Sequence, residues 1–491
     1  MFILIIFAVF LGTLFGALPG VSATMAVTLG IPFTYKMDPV SAIAFLVAIY
    51  CASITGGGMT AILFKIPGVP SSAPTTYDGY PMTLRGEAGK ALGVQLICSA
   101  IGGMFAALAM LLLSPQLTQA ALSFGPSELF AISLMGLSIL TSLDTDNICR
   151  TIISGLLGLI LACIGMDPLL GVPRLTFGTR FLTSGIEMIP VMIGFFAVTE
   201  VLKQTEKRSK LDAVGDTSKI KTVMPKLKEM IALKWTVLRC SIVGTVIGIL
   251  PGAGATIAAF LCYSMEQKLS RHPGKFGTGC LEGIAAPESG NNAATGGSMV
   301  PLLSLGIPGG NAAAIMMSAL VLKGVTMGPL LLIKQPQFLS ATFASMLISN
   351  IVMVFAAIII AKIFVQVLKI PYSVLGPTII MMATIGAFAT KNTAIDVILM
   401  AIAGLLGFVF VVCKLNSSAL ILGLVLGVIC ESNLRRAYTM ARAPGDETLL
   451  QVTGTILTRP VTTIVLLVCA VVLISPVIKP LLKNVGSAKR K

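Results

Sequence analysis

Five polar residues with chemical capacity stand together in an otherwise apolar part of the chain. Glu288, Asn291, Asn292, Thr295 and Ser298 fall within eleven residues of the string APESGNNAATGGSMVPLLSLGIPGG, Ala285–Gly310. An asparagine amide carries two donors and a carbonyl acceptor. Such a set holds a carboxylate through N–H groups or a cation through C=O groups. The plainer alternative is a polar helix cap. An earlier string, TGGGMTAILFKIPG from Thr55, sets Ser53, Thr55 and Thr60 around three glycines. Glycine weakens a helix interior by roughly 1 kcal/mol per residue, so both strings are expected to open the backbone. Freed N–H groups at a helix start suit an anion. The substrate-binding candidates are therefore Thr55, Gly56, Gly57, Gly58, Asn291, Asn292, Thr295, Gly296, Gly297 and Ser298. The alternative for the glycines is close helix packing.

Proline–glycine pairs end or bend helices. They stand at Pro19–Gly20, Pro67–Gly68, Pro251–Gly252 and Pro308–Gly309, with Thr24 and Thr256 shortly after the first and third pairs. These are the cation-binding or hinge candidates. Lys65, inside the second string, is the cation placed to meet an anion, whereas Asp78, Arg85, Glu87 and Lys90 read as a polar connecting loop. Asp144-x-Asp146-Asn147 is a carboxylate pair of the type that binds Mg²⁺, the seed of an enzyme alternative. No phosphate-binding loop of the form G-x-x-x-x-G-K-[ST] occurs, which argues against nucleotide hydrolysis. One histidine, His272, and ten cysteines without a C-x-x-C pair argue against a metal centre or a disulfide framework.

The elements that must position these residues come in two copies. GTLFGALPGVSAT, Gly12–Thr24, matches GTVIGILPGAGAT, Gly244–Thr256, at Gly12, Thr13, Gly16, Leu18, Pro19, Gly20, Ala23 and Thr24 after a shift of 232 positions. The TGG strings follow in the same order, and aligned on Thr55 and Thr295 they pair Gly57 with Gly297. Paired interrupted apolar segments in corresponding halves are a sequence pointer to a transport site.

The chain is 55% hydrophobic and 11% charged, with a mean hydropathy of +0.95, against about 25% charged for a soluble domain. Runs such as Ala91–Leu113 and Phe343–Ile360 are long enough to span a bilayer. The fold class is an all-α polytopic membrane protein of two homologous repeats with Gly/Pro-broken or re-entrant helices, with roughly 11–13 membrane segments. Residues 1–202 form the first repeat, 203–235 a basic linker, 236–480 the second repeat and 481–491 a basic tail. The net charge of +15 gathers largely in that linker, which the positive-inside rule places in the cytoplasm; it is not a nucleic-acid signal. An inverted repeat is expected and a parallel one stays open. Met1–Phe10 lacks a basic start and reads as a retained first helix.

At GALPGVSAT, ITGGGMTAILFKIPGVPSSAPTTYDGYPM, APESGNNAATGGSMVPLLSLGIPGG and GLVLGVICESNLRRA, the chain resembles the large membrane subunit of tripartite tricarboxylate transporters over nearly its whole length. The resemblance implies a permease of the bacterial inner membrane that imports a di- or tricarboxylate coupled to Na⁺ or H⁺, without a cofactor. It implies a small membrane subunit of about four spans and a periplasmic substrate-binding protein as partners, with the lipid bilayer around them. The alternatives are an intramembrane enzyme on Asp144 and Asp146, or a passive channel. The chain departs from internal symmetry at Gly58 and Lys65, where the second string has Ser298 and Leu305.

Overall fold

A computed structural model describes residues 1–18, 21–143, 148–167, 171–207, 223–252, 254–367, 372–442, 453–454 and 456–473. Pro19, Gly20, Asp144, Asp146, most of the basic linker and the C-terminal tail lie outside them. Among the described residues the regular structure is helical apart from a two-stranded hairpin, β1 Gly165–Met166 with β2 Pro173–Arg174. In order, the helices are α1 Phe2–Ala17, α2 Ala23–Thr34, α3 Pro39–Phe64, α4 Thr75–Leu84, α5 Ala88–Leu122, α6 Pro126–Leu143, α7 Ile148–Ala162 and α8 Arg180–Thr183. Then come α9 Met188–Ile193 and α10 Thr199–Lys207, joined by a π-turn, followed by α11 Leu227–Ile249, α12 Gly254–Leu269 and α13 Glu282–Leu305. Next come α14 Asn311–Leu322, α15 Pro329–Lys334, α16 Gln337–Val367, α17 Tyr372–Lys391, α18 Ala394–Val412 and α19 Ser417–Ala441, and a further apolar helix covers Pro460–Leu473. Among the described residues, seven helical stretches are long and apolar enough to cross a membrane, and five shorter apolar helices accompany them.

The contacts gather into two compact units. The first holds 1–118 and 189–408, the second 119–188 and 409–491. In the second unit α19 packs on α6 and α7. A side chain on Gly158 would collide with the Leu420 carbonyl, and one on Gly423 with that of Gly155, so small residues set this crossing. The hairpin is tied to α19 by Arg174 with Glu431 and by Arg435 with Asp167.

The first unit carries all the TGG and Pro–Gly strings. Its centre is α3 against α1 and α13 against α11. α3 begins at Asp38, whose carboxylate accepts the Ser41 N–H at 3.0 Å, followed by Pro39, a residue suited to a first turn. Neither TGG string opens the backbone. Thr55–Gly58 lies inside continuous α3, and Thr295–Ser298 inside continuous α13, with every residue buried. The helices tolerate these glycines because flanking Ala, Ile and Leu residues sustain the helix while the glycines let neighbouring backbones approach. A side chain at Gly16 would collide with the Ser53 carbonyl, and one at Gly248 with that of Ala294.

Among the described residues the interruptions come at Pro67–Gly68, Pro251–Gly252 and Pro308–Gly309. α3 ends at Lys65, in a left-handed conformation with φ 57°, and α13 ends at Gly306 with φ 72°. α1 stops before Leu18 and α11 before Leu250, both extended. The expected connecting loop after the first interruption is partly the helix α4, and Asp78 on it is fully buried rather than a surface charge; Arg85 is exposed as expected.

Candidate functional site

The polar residues of α3, α4, α5 and α13 meet in one buried network. Thr55 Oγ1 donates to Asn292 Oδ1 at 2.9 Å. Asn292 Nδ2 donates to Asn291 Oδ1 at 2.8 Å and to the Glu288 carbonyl at 3.0 Å. Asn291 Nδ2 in turn reaches the Ser71 carbonyl at 3.2 Å. Thr295 Oγ1 donates to the Asn292 carbonyl at 2.6 Å, and Ser298 Oγ to the Thr295 carbonyl at 2.8 Å. Both asparagine side chains are therefore spent inside the protein. They lie mid-helix and fully buried, which excludes the polar-cap reading.

At the centre of this network stands Glu288, which is fully buried. Its Oε1 accepts from Thr75 Oγ1 at 2.6 Å, and its Oε2 from Ser99 Oγ at 3.0 Å and Gln95 Nε2 at 3.2 Å. Gln95 Nε2 also donates to the Thr55 carbonyl at 2.9 Å, so one amide bridges α3 and α13. Gly58 makes room: a Cβ there would approach Gln95 Nε2 to 2.6 Å and the two Glu288 oxygens to 2.8 and 2.9 Å.

The remaining glycines of the strings face backbone. A side chain on Gly56 would strike the Thr13 carbonyl, and one on Gly297 that of Thr245. Gly57 packs against Val69, and Gly296 against Ala106. Thr13 and Thr245 are the matched pair of the first string, so Gly56 and Gly297 make like contacts, one residue away from the alignment on the threonines. Gly68 and Gly309 keep the same shift of 241, since side chains on them would strike Gly16 and Gly248 respectively. So do Lys65 and Gly306, both left-handed helix ends.

Among the hinge candidates, the Gly252 N–H donates to the Gly309 carbonyl at 3.1 Å, and the Gly68 N–H to the Gly57 carbonyl at 3.2 Å. Pro251 and Pro308 are buried beside them, and Pro67 is half-buried. Thr24 and Thr256 occupy the first turns of α2 and α12, where Ser22 Oγ caps α2 by accepting the Met25 N–H at 3.1 Å. Lys65 is exposed, its ammonium 5.8 Å from the centre of the Tyr80 ring, and it takes no part in the buried network.

Glu288 was legible as part of the polar string, but Gln95, Ser99 and Thr75 were not. A glutamine or a hydroxyl in an apolar run is too ordinary to stand out until a helix crossing brings it to a partner. Asp78 forms a separate, closed lock. It accepts from the N–H groups of Gly277, Gly279 and Cys280 and from Tyr263 Oη, holding the α12–α13 connection. Burial and the Asp78 charge push the Cys280 thiol of that connection up to about 12, so it remains neutral.

Residues 2–422 match the model of the tripartite tricarboxylate transporter TctA family. The chain is 36% identical over 474 residues to an uncharacterised 52.8 kDa protein from the TAR-I ttuC′ 3′ region of Agrobacterium vitis, covering 96% of this chain and 92% of that protein. It is 38% identical over 239 residues to an uncharacterised protein from the TAR-II ttuC′ 3′ region of the same organism, covering 48% of this chain and 96% of that one. No solved structure matches.

Proposed function

The chain belongs to the tripartite tricarboxylate transporter TctA family, and from that premise we propose that it is the permease of a secondary carrier that imports a di- or tricarboxylate with a co-transported cation. The substrate is delivered by a periplasmic binding protein, and a small membrane subunit completes the complex in the inner membrane. The carrier needs no cofactor and performs no chemistry on its cargo.

One observation carries this reading. The apolar core of the first unit holds helix interruptions that meet, Leu250–Gly252 with Gly306–Gly310, through the Gly252–Gly309 hydrogen bond. Unpaired backbone in hydrocarbon costs several kcal/mol per group, so such interruptions persist where they serve a ligand. The proposed substrate site therefore moves from the TGG strings to the Pro–Gly interruptions and the first turns of α2 and α12 beside them. A helix start there offers roughly half a positive charge to a carboxylate. Thr55, Asn291, Asn292, Thr295 and Ser298, with the glycines of both strings, form the framework that holds these interruptions in place. The contacts that recur after shifts of 232 and 241 residues support two structural copies, with the inverted arrangement as the proposed one.

A cation is needed on energetic grounds. Each uncompensated negative charge moved inward against 100 mV costs about 2.3 kcal/mol. The test is uptake of labelled di- and tricarboxylates into proteoliposomes that hold the permease with its small subunit, supplied with the binding protein, under an imposed Na⁺ or pH gradient. Accumulation that follows a gradient and ends when it is collapsed is the expected result. Absence of uptake for every carboxylate under both gradients, or uptake that survives their collapse, would remove the reading.

A further inference from the structure

Glu288 is a buried carboxyl without a countercharge. No ion pair to it occurs among the described residues, and its side-chain partners, Thr75, Gln95, Ser99 and Asn291, are all neutral. The charged groups on the elements packed around α13 are engaged elsewhere or exposed. Arg239 of α11 is held by Glu266 of α12, Lys90 of α5 by Glu229, and Glu282 by Ser270. Asp78 of α4 belongs to its own lock, and Lys323 of α14 bonds to the Tyr35 and Met37 carbonyls. Lys65, Lys228, Lys234, Lys268 and Lys334 are exposed. The titratable side chain that faces Glu288 is the thiol of Cys98 on α5; Tyr50 and Cys51 of α3 bond to Ser298 and Thr295.

An unpaired ionised carboxylate in such a place costs several kcal/mol, and a neutral acid far less. The surroundings suit both forms. The Thr75 and Ser99 hydroxyls donate to a carboxylate and can equally accept from a carboxylic acid. Gln95 adds an independent sign: its Oε1 is buried and has no partner. Turning that amide over presents an acceptor to Glu288 in place of a donor, which is what a protonated acid requires. The same turn releases the Nε2 bond to the Thr55 carbonyl, so the charge state of Glu288 bears on how α3 is held to α13.

We propose that Glu288 binds the coupling proton of the carrier. The carboxylate takes one proton to become the acid when the site faces the outside and returns it inside; no other bond forms or breaks. This rests on the carrier reading above, but the measurement separates the two. Infrared pH-difference spectra of the purified complex report protonated carboxyl groups without any substrate. The wild type is expected to show a titrating acid C=O band that Glu288→Gln removes. Ser99→Ala, which withdraws one donor, should displace the pH at which that band titrates. In proteoliposomes, Glu288→Gln should lose pH-driven accumulation by at least tenfold while remaining folded by thermal unfolding in detergent. A spectrum unchanged in Glu288→Gln, a band that titrates identically in Ser99→Ala, or accumulation driven by Na⁺ alone at equal pH would each overturn the proposal. Loss of the band in Glu288→Gln alongside a wild type that transports no carboxylate would leave the proton site standing and remove the carrier reading instead.

Discussion

Asn292 shows how a residue with ligand chemistry can be spent on architecture. Its amide bonds to Thr55, Asn291 and the Glu288 carbonyl at once. Removing it orphans buried partners, at about 1–3 kcal/mol for each group left unsatisfied. Asn292→Ala is therefore expected to lower the detergent unfolding temperature and transport together, and Asn291→Ala, which also holds three partners, should do the same. A full loss of uptake with unchanged thermal stability would return Asn292 to the substrate site. Gly297 obeys the same logic. A valine there would drive into the Thr245 carbonyl, and overpacking of this kind costs typically 1–3 kcal/mol. Gly297→Val should reduce the amount of folded protein in proportion to activity, and Gly56→Val should do likewise against Thr13. Activity lost per folded molecule, with stability intact, would contradict a packing role.

At the scale of elements, two helix ends test whether the two strings are equivalent. Lys65 and Gly306 terminate α3 and α13 in the same left-handed conformation. That conformation costs a residue with a Cβ roughly 1–2 kcal/mol. Gly306→Ala is expected to lose about that much, and more from the nearby Met327 carbonyl at 2.8 Å. Lys65→Gly should leave the unfolding temperature unchanged or raised, since relief of strain offsets the lost contact with Tyr80. Transport by Lys65→Gly decides a second point. Uptake close to wild type fits an exposed helix end, whereas a large rise in the half-saturating substrate concentration would place the lysine on the anion's path.

The whole molecule is almost entirely apolar helix, and among the described residues it carries no sizeable soluble lobe. On the proposed reading, the carrier selects its cargo largely outside the membrane. Exchanging only the periplasmic binding protein for one with another carboxylate preference should shift the transported substrate in reconstituted uptake. An unchanged profile after the exchange would locate selectivity in this chain. The positive-inside rule puts the proposed basic linker at 203–235 on the cytoplasmic side, and accessibility labelling of cysteines introduced there tests that expectation.

Much of this was written in the primary structure. Composition alone determined a helical membrane protein, because no soluble core accommodates so apolar a chain. The Pro–Gly strings marked helix ends, and close packing stood as the alternative for the glycines. The polar string around Glu288 was visible as a whole, and its motifs carried the family. What the strings could not reveal was which of their features the tertiary fold would use. Glycines inside Thr55–Gly58 and Thr295–Ser298 looked like backbone openings because local propensity disfavours them in a helix. In the folded protein the neighbouring helices supply the contacts that keep α3 and α13 continuous, and the openings fall instead at Pro67–Gly68, Pro251–Gly252 and Pro308–Gly309. Gly297 meets the Thr245 carbonyl as Gly56 meets that of Thr13, a likeness of contact one residue away from the alignment on threonine. Glu288 with Gln95, Ser99 and Thr75 exists only through three helices meeting, since residues nearly two hundred positions apart share no local signal that they will bond.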